Sequence, residues 1–315
     1  MWSESTRSSG LLERLSQRAD ALRIRSKVLQ AIRSFFLYQG FLEVETPLLL
    51  STVAPEEHIV PVPAQQRFLA TSPELQMKLL AAAGLTKTFQ ISRSFRQGEL
   101  GRKHNPEFSM LEYYRPGDSI HDLVQDLGAL LHHVVLEVTG TSTFTWQGRA
   151  VEVTPALKSI TVENAYLRYA RWNPLDTWDP DRFDLDMGTI VEPNLGNGWP
   201  EALVLYPAQA ASLARLSPND ARTAQRAELY VLGLELANGF VELNDPREQR
   251  ARFLETSELI RRAGREPPPM PEEYLHSLEH LPPTVGMALG IDRLVMLLAD
   301  RASISDVMAF PWDDV

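Results

Sequence analysis

FRQGELGRKHNPEFSMLEYY, residues Phe95–Tyr114, decides how this chain is read. It begins and ends on residues suited to strands, and between them lies a polar hinge with glycine, lysine, histidine and asparagine. Arg96 stands where a guanidinium can fork onto a phosphate, and Phe108 offers an aromatic face for a purine. A second stretch near the C-terminus, GMALGIDR (Gly286–Arg293), complements the first. Its glycines let backbone approach a flat ligand closely before Arg293 opens a helix. Taken singly, Arg96 fits a surface ion pair, Phe108 a core position on an alternating strand, and Gly286 with Gly290 a packing pair where strand meets helix. Their joint occurrence in this order points to nucleotide chemistry.

Composition narrows that chemistry. With 315 residues, 44% of them hydrophobic, the chain can bury a large core. It contains no cysteine, which excludes disulfides, thiolate metal sites and a cysteine nucleophile together. A formal charge of −10 argues against a broad electrostatic surface for nucleic acid and leaves room only for a local basic patch. The N-terminal MWSESTRSSG lacks the apolar run of a secretory signal. The apolar run VGMALGIDRLVMLLA is broken by Asp292 and Arg293, so it reads as a strand passing into a helix and not as a membrane span. A cytoplasmic protein without membrane association is the expectation.

Helical spacing predicts a long amphipathic helix over Leu11–Tyr38 with Gly40 as its stop, residues 1–19 otherwise serving as a flexible lead-in. GFLEVETPLLL follows as an edge or interface strand, because Pro47 removes a ladder donor. Arg67–Thr71 reads as a strand, and SPELQMKLLAAAG as a helix with Ser72 at the N-cap, Pro73 at the first position and Gly84 at the C-cap. Lys87–Phe95 is a strand and Asp118–Val138 a helix. Residues of about 140–200, rich in proline, tryptophan and aspartate, read as an irregular insertion within one catalytic domain spanning 20–315. Strand signals return in LVLY and AELYVLGLELANGFVEL, then a helix over Pro246–Arg262. The pattern is α+β, a mostly antiparallel sheet flanked by helices.

Glu228, Glu235 and Glu242 recur at intervals of seven. On a helix this spacing makes one solvated face, whereas the glycines and β-formers around them favour strands. On a continuous strand the odd interval puts alternate members on opposite faces. A turn or bulge near Gly233 is needed to bring them together.

The two opening stretches resemble the second and third motifs of class II aminoacyl-tRNA synthetases, and GFLEVETPLLL resembles the first, which in that family builds a dimer contact. ELANGFVELNDPREQRARF is similar to the lysyl-tRNA synthetase segment. The resemblance implies the class II catalytic fold, ATP as co-substrate and a homodimer. It also implies an aminoacyl adenylate made by attack of a substrate carboxylate on the α-phosphate, with Arg96 and Arg293 stabilising the phosphates and no protein nucleophile. Glu228 and Glu235 are implied to hold Mg2+ on ATP, Asn238 to meet the substrate carboxylate and Glu242 a side-chain ammonium. Tyr114 would assist Glu242, and Glu74, in the Ser72–Pro73–Glu74 turn, would meet the other amine. Phe108 would stack on adenine, with Gln97, Gly98, Glu99, Asn105, Leu236 and Gly290 around the nucleotide. His104 would orient the hinge. The usual acidic residue two after Arg96 is here Gly98, with Glu99 next.

An N-terminal anticodon-binding barrel is not expected before the first catalytic helix, so tRNA recognition by an anticodon module is not expected either. VEPNLG, YPAQAASLA and GLELANGF look most like the freestanding paralogues that ligate β-lysine to a lysine of translation elongation factor P. Ala288, where the synthetases usually have glycine, would place a methyl against α-lysine and tolerate a β-amino group. Activation of α-lysine or another amino acid for a different acceptor, and a non-catalytic paralogue acting as a binding subunit, are the competing readings.

Overall fold

A computed structural model describes residues 4–315, with side chains from residue 10 onward. In chain order the helices are α1 (Glu4–Tyr38), α2 (Glu74–Ala82), α3 (Ile120–Thr139), α4 (Val162–Ala165), α5 (Pro180–Asp186), α6 (Pro246–Arg262), α7 (Glu272–Ser277) and α8 (Ile291–Leu298). The early strands are β1 (Leu42–Glu43), β2 (Leu49–Leu50), β3 (Pro63–Ala64), β4 (Arg67–Leu69), β5 (Thr88–Phe95) and β6 (Glu107–Pro116). They are followed by β7 (Thr143–Trp146), β8 (Arg149–Glu152), β9 (Lys158–Thr161), β10 (Glu201–Pro207), β11 (Thr223–Val231), β12 (Leu234–Val241) and β13 (Thr284–Gly290).

Eight strands form the main sheet in the order β1-β5-β6-β13-β12-β11-β10-β9. Its interior pairs are all antiparallel, and the only parallel pairs close its two edges, β1 with β5 and β9 with β10. The α+β expectation is met.

Strand periodicity then divides the sheet into a core face and a site face. Leu111 and Tyr113 of β6 and Val285, Met287 and Leu289 of β13 pack in one apolar cluster with Val28, Ile32 and Phe36 of α1 and Leu127, Leu131 and Val134 of α3. Their even-numbered neighbours, among them Glu112, Tyr114 and Ala288, line a cavity on the other face.

Three expectations change. The helix expected over Leu11–Tyr38 starts earlier, at Glu4, so residues 4–19 of the lead-in expected over residues 1–19 belong to α1. Their helix is held by pairing of Arg14 and Arg18 with Asp314 at the opposite terminus. GFLEVETPLLL yields only the two short strands β1 and β2, separated by the segment that contains Pro47. The 140–200 insertion is more regular than its composition suggests. It folds the β7–β8 hairpin, lends β9 to the sheet edge and buries Tyr166, Phe183, Val191 and Leu195 in a small core shared with Leu203 and Tyr206 of β10 and Tyr230 of β11.

Candidate active site

Cross-strand neighbours share a face of the sheet, so register alone gathers cavity residues into rows. Glu228 on β11 pairs with Asn238 on β12, Asn238 with Ala288 on β13, and Ala288 with Glu112 on β6. The adjacent row holds Arg226, Phe240, Gly286 and Tyr114. By parity Glu235 belongs on the opposite face from Asn238. Leu236 is left over between the Leu229–Ala237 and Tyr230–Glu235 pairs, and this bulge returns Glu235 to the cavity side. The hairpin turn before it uses Leu232 and Gly233, both at positive φ (53° and 74°), the geometry of a tight two-residue connection. A turn and a bulge thus act together to bring Glu228 and Glu235 to one face.

The cavity these rows line has a volume of about 1120 Å³. At its Glu74–Glu242 end a Cβ on Gly286 would sit 2.3 Å from the Tyr114 ring and 2.6 Å from Glu242 Oε1, so only glycine leaves both side chains in place. The buried Lys78 ammonium pairs with Glu74 at 2.6 Å and also with Glu242. Glu112 is equally buried, and the Tyr114 hydroxyl donates to its Oε2 at 2.9 Å. Tyr114 was expected to serve Glu242, so this is a correction: Glu112 lies two residues away on the same strand face and takes the bond. Burial pushes Glu112 up to about 8, with the Glu74 charge adding to the effect and the Tyr114 hydrogen bond opposing it. Burial likewise raises Glu242 to about 8 against the pull of Lys78. Lys78 is itself held well above its ordinary value, because the Glu242 and Glu74 charges outweigh burial. Three carboxylates around one ammonium in a water-poor pocket are complementary to a ligand that carries amines.

The end that carries Arg96 and Arg293 is more open. The Arg96 guanidinium lies over the Phe108 ring, 5.1 Å from its centroid, and its Nε donates to the Thr71 carbonyl at 3.4 Å. Glu99 faces Arg96 at 3.7 Å, so an acidic side chain does reach this guanidinium although Gly98 occupies the expected position. Arg293 donates to the Glu235 carbonyl at 2.8 Å and to its carboxylate at 3.1 Å. Its other terminal nitrogen meets His104 Nε2 at 2.8 Å. Burial and the Arg293 charge lower the His104 pKa, which keeps the ring neutral and able to accept that bond. This contact orients Arg293. Behind it, Asp292 accepts from Arg25 at 2.5 Å and from the Ser109 N–H at 2.6 Å, tying α1, β6 and the start of α8 together.

The carboxylate of Glu228 is already taken. Tyr206 and Tyr230 donate to Oε2 at 2.5 and 2.6 Å, and Arg226 to Oε1 at 2.6 Å. As placed it does not fit a metal ligand, whereas Glu235, bound only through Arg293 and partly exposed, does. Among the described residues no cluster of three or more metal-ligating side chains forms. Arg226 also donates to Asn238 Oδ1 at 3.1 Å, which turns the amide nitrogen of Asn238 away from it.

Ser72 accepts the Glu74 N–H at 3.2 Å, so α2 begins at Glu74, one residue later than expected, with Pro73 at its cap. Ser72, Glu74, Asn238, Leu236, Ala288 and Gly290 all line the cavity, whereas Pro73, Gln97 and Gly98 do not. The Gln97 N–H instead donates to the Val60 carbonyl at 2.8 Å. Asn105 is at the wall, but its side chain braces the chain, donating to the Glu107 carbonyl at 2.7 Å and accepting the Trp312 N–H at 3.0 Å.

Among the groups the sequence reading passes over are the cavity residues Glu112, Arg226 and Glu56, and Lys78, which pairs with the lining residue Glu242 from behind the wall. The i,i+4 spacing of Glu74 and Lys78, and the shared parity of Glu112 with Tyr114 and of Arg226 with Glu228, were available signals. Nothing in the sequence marks Glu56.

Residues 6–314 match the family described as tRNA synthetases class II (D, K and N). The elongation factor P–(R)-β-lysine ligase of Erwinia tasmaniensis is 39% identical over 313 residues, covering 92% of this chain and 94% of that one. The ligase of the same name from Pectobacterium carotovorum is 40% identical over 311 residues, covering 91% and 93%. The lysine–tRNA ligase of Nitrosomonas europaea is 36% identical over 323 residues, covering 91% of this chain but 62% of that protein. A match of this extent includes the sheet, both arginine-bearing motifs and the carboxylate pocket between them, and the chain belongs to the class II tRNA synthetase family of the D, K and N type.

Proposed function

We propose that this protein is an ATP-dependent ligase that activates (R)-β-lysine as an adenylate and transfers it to a lysine of translation elongation factor P. The observation that carries this reading is the buried cluster of Glu74, Glu112 and Glu242 in the cavity wall, complementary to a diamine. The names of relatives that span nearly the same length support the acceptor.

In the first step the substrate carboxylate, held by the free amide nitrogen of Asn238, attacks the α-phosphate of ATP and pyrophosphate leaves. Arg96 and Arg293 leave their present acceptors, the Thr71 carbonyl and Glu235, and take up phosphate charge. Adenine stacks on Phe108. Mg2+ bound with ATP supplies charge neutralisation across the phosphates, and Glu235 is the residue of this chain that would hold it. Glu228 keeps Arg226 and, through it, Asn238 in register.

A homodimer through the α1 end, β1 and β2 belongs to the same reading. Leu37, Tyr38, Leu42, Leu48 and Leu49 are exposed together there, and a stable interface buries more than about 1,000 Å². Sedimentation showing only monomer at micromolar protein removes it.

Amino-acid-dependent pyrophosphate exchange with α- and β-lysine tests the substrate. Ala288 stands beside Asn238 and Glu112 in the register, so Ala288→Gly is expected to shift the specificity ratio toward α-lysine. One methyl corresponds to about 1–3 kcal/mol, roughly ten- to a few-hundred-fold. An unchanged ratio assigns Ala288 to packing.

A further inference from the structure

One cavity carboxylate has no part in that activation step. Glu56 lines the cavity, and no hydrogen bond from a described residue contributes to its titration. Its loop is held in place by the rest of the fold. Arg265 donates to the Glu57 carbonyl, the Gln97 N–H to the Val60 carbonyl at 2.8 Å, and His58 faces Asp184 of α5 at 3.7 Å.

The charged groups that act on Glu56 are Arg96 at the end of β5, Glu99 in the hinge, Glu74 on α2 and Arg226 on β11, with Glu57 and His58 adjacent in its own loop. In the function proposed above, Arg96 takes up phosphate charge, Glu74 meets an amine of the substrate and Arg226 the asparagine at the substrate carboxylate. Glu56 lines the same cavity as these three, and the Gln97–Val60 hydrogen bond ties its loop to the residue after Arg96, so it shares the space of the acyl–phosphate bond that the second half-reaction must break.

That half-reaction has a requirement that transfer to a ribose hydroxyl lacks. A protein lysine arrives as an ammonium, with a pKa of about 10.4 and no lone pair to attack with. We propose that Glu56 is the general base of the transfer step and removes the proton from the ε-ammonium of the acceptor lysine beside the bound adenylate; this rests on the proposed amine acceptor. The freed lone pair attacks the acyl carbon and forms the C–N bond. The bond from that carbon to the phosphate oxygen breaks, and its electron pair leaves on AMP. The second proton of the nitrogen passes to the AMP phosphate, whose second ionisation lies at about 6. Burial, opposed by Arg96 and reinforced by Glu74, raises Glu56 to about 7, the range suited to a base working at neutral pH.

The test separates the two half-reactions in wild type, Glu56→Gln and Glu56→Asp. It uses (R)-β-lysine, with either elongation factor P of the same genome or hydroxylamine as acceptor. Hydroxylamine is already a neutral amine at pH 7 and needs no base. Glu56→Gln is expected to keep pyrophosphate exchange and hydroxamate formation within about threefold while losing about 10²–10⁴-fold in transfer to the protein lysine. Glu56→Asp is expected to recover part of that loss. Wild-type transfer should level off above pH 7, whereas the residual transfer by Glu56→Gln should keep rising with the free-base fraction of the acceptor. Undiminished protein transfer by Glu56→Gln, or equal loss of exchange and transfer, overturns the assignment. Wild type that exchanges pyrophosphate but modifies no lysine of elongation factor P removes the proposed acceptor itself, and the base falls with it.

Discussion

The side chains of Lys78 and Glu242, at the end of the cavity proposed for the amino acid, are each 1% exposed. At the end proposed for the nucleotide, Arg96, Glu99, Arg293 and Glu235 keep 23, 28, 19 and 35% of their side-chain surface. Both ends are rich in charge, yet they satisfy it differently. Where water is absent, each charge needs a partner within the protein before any ligand arrives, and Lys78 serves two glutamates at once. Where water reaches, the arginines rest on carbonyls and a histidine and can be drawn onto phosphates at small cost. In the proposed function, selectivity for the amino acid would sit in the buried ionic cluster, and ATP would be taken up by the more exposed arginines.

The largest effect expected from breaking this contrast is on stability. Above about pH 8, where Glu242 is ionised, Lys78→Met leaves Glu74 and Glu242 without their shared ammonium, which costs about 3–5 kcal/mol for an uncompensated buried charge. Urea unfolding measures it. Stability within about 1 kcal/mol of wild type would show that the glutamates simply protonate.

Glu242→Gln should abolish amino-acid use while leaving ATP binding intact, a loss of about 2–5 kcal/mol. Calorimetric titration with lysine and β-lysine reads it directly, and unchanged affinity for both would remove Glu242 from the ammonium site. At the other end, Phe108→Ala should weaken ATP by about 1–3 kcal/mol, the worth of stacking one base, and leave amino-acid affinity unaltered. A variant that loses both equally would mean that the two ends are not separate.

The smallest effect is the dependence on pH. Glu112 and Glu242, both raised to about 8, are neutral below that value in the empty pocket and ionised above it. An ammonium binds the ionised form, so amino-acid affinity should strengthen as pH rises and level off above about 8. The change is at most about tenfold per pH unit for each carboxylate that must ionise. ATP affinity should not follow it, and Glu112→Gln should flatten the slope. A pH-independent affinity for the amino acid would place the titrating groups elsewhere.

Much of the site was legible because it follows from short-range rules. The glycines of GMALG marked a backbone of close approach, expected to be against a flat ligand, and at Gly286 the structure puts the Tyr114 and Glu242 side chains there. The helix over Pro246–Arg262 was read to its ends because Asp245 caps it and Pro246 opens it. Composition misled over the insertion, where Tyr166 and Phe183, 17 positions apart, stack in a small core.

By itself, then, the sequence determined which chemistry is present: two arginines, an aromatic face, a glycine strand and a set of glutamates, each placed on an element by periods of 2 and 3.6 residues. Only the tertiary structure decided how those groups meet. The bulge at Leu236 turns Glu235 to the cavity, Lys78 reaches from α2 to a glutamate 164 positions later, and a pinned loop brings Glu56 into play. Periodicity orients a side chain relative to its own strand or helix. Contacts between residues far apart in the chain arise from packing and register, which no local pattern contains.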